Sequence, residues 1–184
     1  AGEHCSRCQT APRAFDALAA LGPYRPDHSD DPLVRAVRAL KYEGRRAVAR
    51  DLGVLLALHY PYDRSALIVP VPLHRQRLRT RGFNQAALLA RALARERGLA
   101  CDLDLLVRTR PTSAQAHLGT RQARLQNLSA AIAVRRPTAV HGRHIVLVDD
   151  IVTTGATADA CARVLRAAGA AHIAVYAVGR TPVR

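Results

Sequence analysis

The chain has 184 residues, 49% of them hydrophobic and 23% charged, with a net charge of +14 from 28 basic and 14 acidic residues. That is enough chain to bury a core in one sizeable domain, and the composition is that of a globular protein. No apolar run approaches the roughly 18 residues that a bilayer-spanning helix needs, and no signal-like n-region and h-region opens the chain, so membrane insertion is not expected.

Lys41 is the only lysine; every other basic residue is arginine. Arginine favours bidentate phosphate contacts, so a polyanionic ligand or a nucleic acid is a reasonable partner. A lineage-wide preference for arginine explains the same ratio with no ligand. Against that background the retained Lys41 hints at a position where a compact ammonium is preferred.

In chain order, AGEHCSRCQTAPR has no apolar periodicity. Cys5 and Cys8 form a CxxC pair beside His4. Two thiolates so spaced can share a tetrahedral zinc, but they make only half a site, and free thiols or a disulfide remain equally open. Cys101 and Cys161 have no partner motif, and the lack of a disulfide framework points to a reducing, cytoplasmic compartment. FDALAALGPY reads as an edge strand or hairpin, with helix left open by its alanines. Ser29-Asp30-Asp31-Pro32 starts a helix carrying Leu33, Val37 and Leu40, and a second helix after Tyr42-Glu43-Gly44 puts Val48, Leu52, Leu55 and Leu56 on one face.

Ala66 to Val71 is a short aliphatic run, expected as a buried strand that Pro70 and Pro72 terminate. A loop bearing Arg75, Arg77, Arg79 and Arg81 follows. It should lie at the carboxyl end of a parallel strand, where α/β sheets place ligands, so at least one arginine is expected to reach a phosphate; a solvated charge run is the alternative. Ala86, Leu89, Ala90 and Leu93 then mark a helix ending at Gly98. Leu103 to Val107 and Ala130 to Val134 are further strand candidates. Between them lies a polar stretch with Arg108, Arg110, Gln115, Arg121 and Arg124, expected to act as a lid.

The most informative stretch runs from His144 to Gly169. Ile145 to Val148 form an apolar run ending in Asp149 and Asp150. The chain then passes through Thr153, Thr154, Gly155 and Thr157 into a helix with Ala158, Cys161, Ala162 and Leu165 on one face. A helix start offers unpaired amides and a positive dipole end, and a glycine admits close approach of an anion. The carboxylates can accept hydrogen bonds from a vicinal diol or help hold Mg²⁺ through its waters. A ribose carrying a 5′-phosphate satisfies both halves. His172 to Val178 is the last strand, and strands separated by helices imply a largely parallel sheet.

The residues Val146 to Ala158 resemble the phosphoribosyl pyrophosphate (PRPP) signature of type I phosphoribosyltransferases. Leu40-Lys41-Tyr42, Val69-Pro70-Val71-Pro72, Arg81-Gly82-Phe83-Asn84-Gln85, and Arg108 with Gln115, Arg121 and Asn127 narrow the resemblance to the ComF family. It implies an α/β type I phosphoribosyltransferase-like fold, with a central, mostly parallel sheet of about five strands flanked by helices. It also implies a division into 1–14, the remnant of a Cys-containing, zinc-ribbon-like module, and 15–184, the phosphoribosyltransferase-like domain. By the same resemblance Asp149 and Asp150 hold the ribose diol, and Val152, Thr153, Thr154, Gly155, Ala156 and Thr157 hold the 5′-phosphate. Val71, Pro72, Leu73, His74 and Arg75 form the pyrophosphate loop, and Arg108, Gln115, Arg121 and Arg124 belong to the flexible loop.

The implied activity is Mg²⁺-dependent transfer of phosphoribose from PRPP to an unidentified acceptor, in the context of competence and DNA uptake. A zinc ion would belong to Cys5 and Cys8 in a longer chain. The alternative is a non-catalytic role, PRPP sensing or binding of single-stranded DNA, with DNA-uptake proteins as partners. Phe15, Tyr24 and Tyr42 are the rings available to stack on an acceptor base, although packing is the commoner role of such rings.

Overall fold

The computed structural model describes residues 13–62, 65–109 and 130–182. The aliphatic runs form a four-stranded sheet from β1 (Ala17–Pro23), β2 (Leu67–Pro70), β5 (His144–Val152) and β6 (His172–Arg180). Its order is β1-β6-β5-β2 and every neighbouring pair is parallel. β1 is therefore an edge strand, as one of the readings of FDALAALGPY had it. Pro70 is tolerated because it ends β2, opposite Val148. Outside β2, Cys101 makes a single parallel bridge with Ile68.

The expected strand at Leu103 to Val107 lies elsewhere. Leu106–Arg108 (β3) pairs antiparallel with Ile132–Val134 (β4) in a separate two-stranded ribbon. The apolar run is thus used in an antiparallel pair rather than in the parallel sheet.

Five helices flank the sheet among the described residues: α1 (Pro32–Tyr42), α2 (Ala47–Leu58), α3 (Arg75–Arg81), α4 (Gln85–Arg97) and α5 (Ala156–Ala167). Asp31 caps α1 by accepting the Leu33 amide at 2.8 Å, and Asn84 caps α4 by accepting that of Ala86 at 3.1 Å. Sequence reading missed α3. His74 accepts the Gln76 amide as an N-cap and Gly82 closes the C-terminus at φ 80°, so the arginines expected in a loop stand on a short exposed helix. On α2, Leu52 and Leu56 are buried as expected, but Leu55 is exposed; Ala49, Gly53 and Ala57 complete the inner face. There Gly53 meets Ala92 of α4 so closely that a Cβ would sit 2.2 Å from the Ala92 methyl.

The alternation of side chains along β5 divides the core. Val146 and Val148 pack with α1, α2, the inner face of α4 and Tyr176, while Ile145 and Leu147 pack with α5 and the β3-β4 ribbon. Tyr60, Tyr62 and Tyr176 meet edge to face with ring centroids 5.7 to 6.1 Å apart, and the Tyr176 hydroxyl donates to the Leu56 carbonyl at 3.1 Å, tying the end of α2 to the sheet.

Candidate functional site

Because β2 and β5 are parallel and in register, the residues that follow Pro70 and Val148 emerge on one edge. The Val71 amide continues the ladder by donating to the Val148 carbonyl at 2.9 Å. The segment Val71 to Arg75 thus starts beside Asp149. Val71 and Pro72 are buried, Leu73 and His74 half-buried, and Arg75 exposed. Asn84 holds this turn, its side-chain amide donating to the Val71 carbonyl at 3.1 Å.

β5 runs through both acids instead of stopping before them, so its alternation sends Asp149 and Asp150 to opposite faces. Asp150, 8% exposed, meets Lys41 from the end of α1, with Nζ 3.0 Å from Oδ1. The sole lysine therefore joins α1 to the acidic pair. Sequence reading flagged Lys41 but assigned it no partner. Asp149 is half-buried on the α5 side and has no ion pair among the described residues. Burial, and after it the adjacent Asp150 carboxylate, push its pKa well above the ordinary carboxylate range. Each acid also accepts the amide of the next residue: Asp150 N–H donates to Asp149 at 2.8 Å and Ile151 N–H to Asp150 at 2.7 Å. Cys161 faces Asp149, is fully buried, and has its thiol pKa raised by burial, consistent with the small hydrophobe expected there.

The loop that follows turns into α5 through Gly155 at φ 74°, a conformation that disfavours any residue with a Cβ. Thr153 and Thr154 are exposed, Val152 and Gly155 buried, and Ala156 and Thr157 half-buried. The Thr154 hydroxyl accepts the Ala156 amide at 3.3 Å, and Asp159 N–H donates to the Gly155 carbonyl at 2.9 Å. Of the four leading amides, those of Thr157 and Ala158 have no partner among the described residues. Two amides without partners among the described residues, two exposed hydroxyls and the positive end of a helix dipole are groups that favour an anion.

Arg108 stands at the end of β3, half-buried, with its pKa lowered by burial and then by the charge of Arg77 from α3. Two guanidinium groups thus share the region next to the Val71–Arg75 turn. Gln115, Arg121, Arg124, Cys5 and Cys8 lie outside the described residues. Of the rings considered for stacking, Tyr24 is buried against Gly179, Phe15 is half-buried and Tyr42 is 75% exposed beside Lys41.

The β5-loop-α5 turn, with two adjacent acids and a second strand-end turn beside it, keeps the order of the signature described for the sequence. Residues 78–183 match the family model "Phosphoribosyl transferase domain", and the chain belongs to that family. Within it, kinship lies with the ComF proteins, as the motifs implied. The chain is 36% identical over 184 residues to the DNA utilization protein YhgH of Escherichia coli K12, covering 96% of this chain and 78% of that protein. It is 29% identical over 187 residues to Competence protein F of Haemophilus influenzae, covering 97% and 79%. It is 31% identical over 146 residues to Competence protein ComFC of Bacillus subtilis, covering 77% and 57%. Among solved structures, glutamine PRPP amidotransferase from B. subtilis superposes with a TM-score of 0.56 at 18% identity, covering 77% of this chain and 30% of that one. This likeness shows the type I phosphoribosyltransferase fold.

Proposed function

We propose that this protein binds PRPP at the carboxyl edge of β5 and β2 and transfers its phosphoribosyl group to an acceptor nucleophile. The observation that carries this reading is the run of Asp149, Asp150, Thr153, Thr154 and Gly155 across a strand-to-helix turn whose Thr157 and Ala158 amides are free for a ligand. In the reaction the C1–O bond to pyrophosphate breaks and the electron pair leaves with pyrophosphate, while the acceptor's lone pair forms the new bond at C1. Positive charge grows on the ribose ring and negative charge on the leaving group, so the site must favour both.

Asp149 and Asp150 accept the ribose hydroxyls. Lys41 holds Asp150 in place, with Nζ 3.0 Å from Oδ1. The free amides of α5 anchor the 5′-phosphate, and the turn from Val71 to Arg75, with Arg77 and Arg108 nearby, receives pyrophosphate. If Mg²⁺ accompanies PRPP, Asp149 and Asp150 are the carboxylates that would help hold it through its waters; no cluster of three or more ligating side chains forms a dedicated cage among the described residues. Such an ion would supply charge neutralisation on the leaving group. The exposed Tyr42 ring, next to Lys41, is the surface on which a planar acceptor would stack. Incubation with PRPP, Mg²⁺ and a broad panel of bases, amines and nucleic acids is expected to release pyrophosphate, strongly reduced by Asp150→Asn. Silence across the whole panel would remove the enzymatic reading and leave PRPP sensing.

A second reading is favoured by α3. Its arginines Arg75, Arg77, Arg79 and Arg81 and Leu78 are all exposed or partly so, on the flank of the same edge. The names of the bacterial relatives connect those proteins with DNA use and competence, and a single strand lying along α3 would bring a nucleic acid to the site as partner or acceptor. Its affinity should fall steeply with added salt and be lost on charge reversal of Arg75, Arg77 and Arg79. Survival of binding in that triple variant would refute this reading.

A further inference from the structure

Arg13 reaches across 141 positions of sequence to the phosphate loop, its Nη2 donating to the Thr154 carbonyl at 2.8 Å. The guanidinium lies against Gly155: a Cβ built there would be 3.8 Å from its Cζ and 3.9 Å from Nη1. An arginine carries five N–H donors, and this is the one hydrogen bond of Arg13 among the described residues.

The residues behind it are firmly docked. The Ala14 amide donates at 2.7 Å to Oδ1 of Asp159, a carboxylate 1% exposed whose Oδ2 accepts from Arg163 at 3.2 Å. The Asp16 carboxylate accepts from Arg166 at 2.7 Å and from the Ile173 amide at 2.8 Å, and the Asp16 amide donates to the Ile173 carbonyl at 2.7 Å. A buried aspartate is costly unless it is fully partnered. Here it fixes the backbone next to Arg13, one turn into α5.

The electrostatics of this placement are unfavourable without a ligand. A helix N-terminus is the positive end of its dipole and repels a cation, yet Arg13 is held there with the Thr154 carbonyl as its one acceptor among the described residues. A dianion between the guanidinium and the Thr157 and Ala158 amides removes the conflict and engages its further donors. We propose that Arg13 is a ligand of the 5′-phosphate monoester, with Asp159 as its positioning residue. This rests on the reading of Val152 to Thr157 as the 5′-phosphate loop. The sequence motif for that loop includes neither residue.

The test uses the full chain and three probes: ribose 5-phosphate, PRPP with Mg²⁺, and inorganic pyrophosphate with Mg²⁺. Arg13→Gln is expected to weaken ribose 5-phosphate and PRPP by about tenfold or more, as loss of a charge-assisted hydrogen bond to phosphate does, and to leave pyrophosphate affinity unchanged. Arg13→Lys, which keeps the charge but not the planar fork, should fall between. Unaltered ribose 5-phosphate affinity in Arg13→Gln, or equal weakening for all three probes, overturns the assignment. If the unmodified chain binds PRPP and Arg13→Gln binds it equally well, the assignment alone fails. If the unmodified chain binds none of the probes, the loop reading fails and takes this assignment with it. Should Arg13→Gln melt below the working temperature, Arg13→Lys carries the same comparison.

Discussion

The two faces of β5 treat adjacent carboxylates in opposite ways. On the α1 side Asp150 is buried beside an ammonium 3.0 Å away. On the α5 side Asp149 lies against the buried Cys161 with no ion pair among the described residues, and its pKa rises. One acid is held by an ion pair to a neighbouring helix, and the other has no such partner among the described residues. The lesson is that a pair of identical side chains in a motif need not be a pair in function, because strand alternation hands each to a different environment. In the proposed reaction Asp150 is a fixed acceptor, whereas Asp149 is the acid whose pKa burial raises.

The sharpest way to break this contrast is to remove the lysine. Lys41→Met leaves a buried carboxylate unpaired and is expected to cost about 3 kcal/mol in urea unfolding. Adding Asp150→Asn should restore most of that loss, through a coupling that a double-mutant cycle measures. Two independent, additive losses would mean that the pair does not interact.

The next effect concerns Asp149 and depends on pH. Its folded pKa exceeds the unfolded value of about 3.9, so above that value the folded chain holds the more protons. The contribution is complete below the unfolded pKa and is lost as pH rises through the folded one. Asp149→Asn removes this loss, so relative to the unmodified chain it should gain about 1 kcal/mol or more between pH 5 and pH 8. An equal difference at both pH values would place the Asp149 pKa in the ordinary range.

A smaller effect probes the loop itself. Gly155→Ala forces a Cβ onto a left-handed backbone and should cost about 1 kcal/mol. Smaller still, Thr154→Val removes the acceptor of the Ala156 amide at about 0.5 to 1 kcal/mol. Thermal unfolding ranks these two, and the reverse order would mean that the loop is held by its hydroxyl more than by its turn.

Much of this was legible in the sequence, for physical reasons that differ by element. β5, the loop and α5 are contiguous, so their chemistry is written in one run, and the inner faces of α4 and α5 follow from helical spacing alone. The Lys41–Asp150 contact joins residues far apart in sequence, and only the rarity of lysine in this chain pointed towards it. Arg13 and Asp159 lay beyond any local pattern. The clue available was an aspartate at a buried helical position four residues before Arg163, a spacing that usually signals a surface pair. α3 was missed because a run of alternating arginines has no apolar face, and its caps, His74 and Gly82, decide the conformation. The strand expected at Leu103 to Val107 carried a sound apolar signal, but pattern alone does not choose between continuing a parallel sheet and joining an antiparallel pair.

The most direct test is calorimetric titration of PRPP in the presence of Mg²⁺ into the unmodified chain, Asp149→Asn and Thr154→Val, with each variant first shown to be folded. Saturable binding to the unmodified chain, lost in both variants, is the predicted result. The same affinity in all three would contradict the assignment of the β5-loop-α5 turn as the PRPP site.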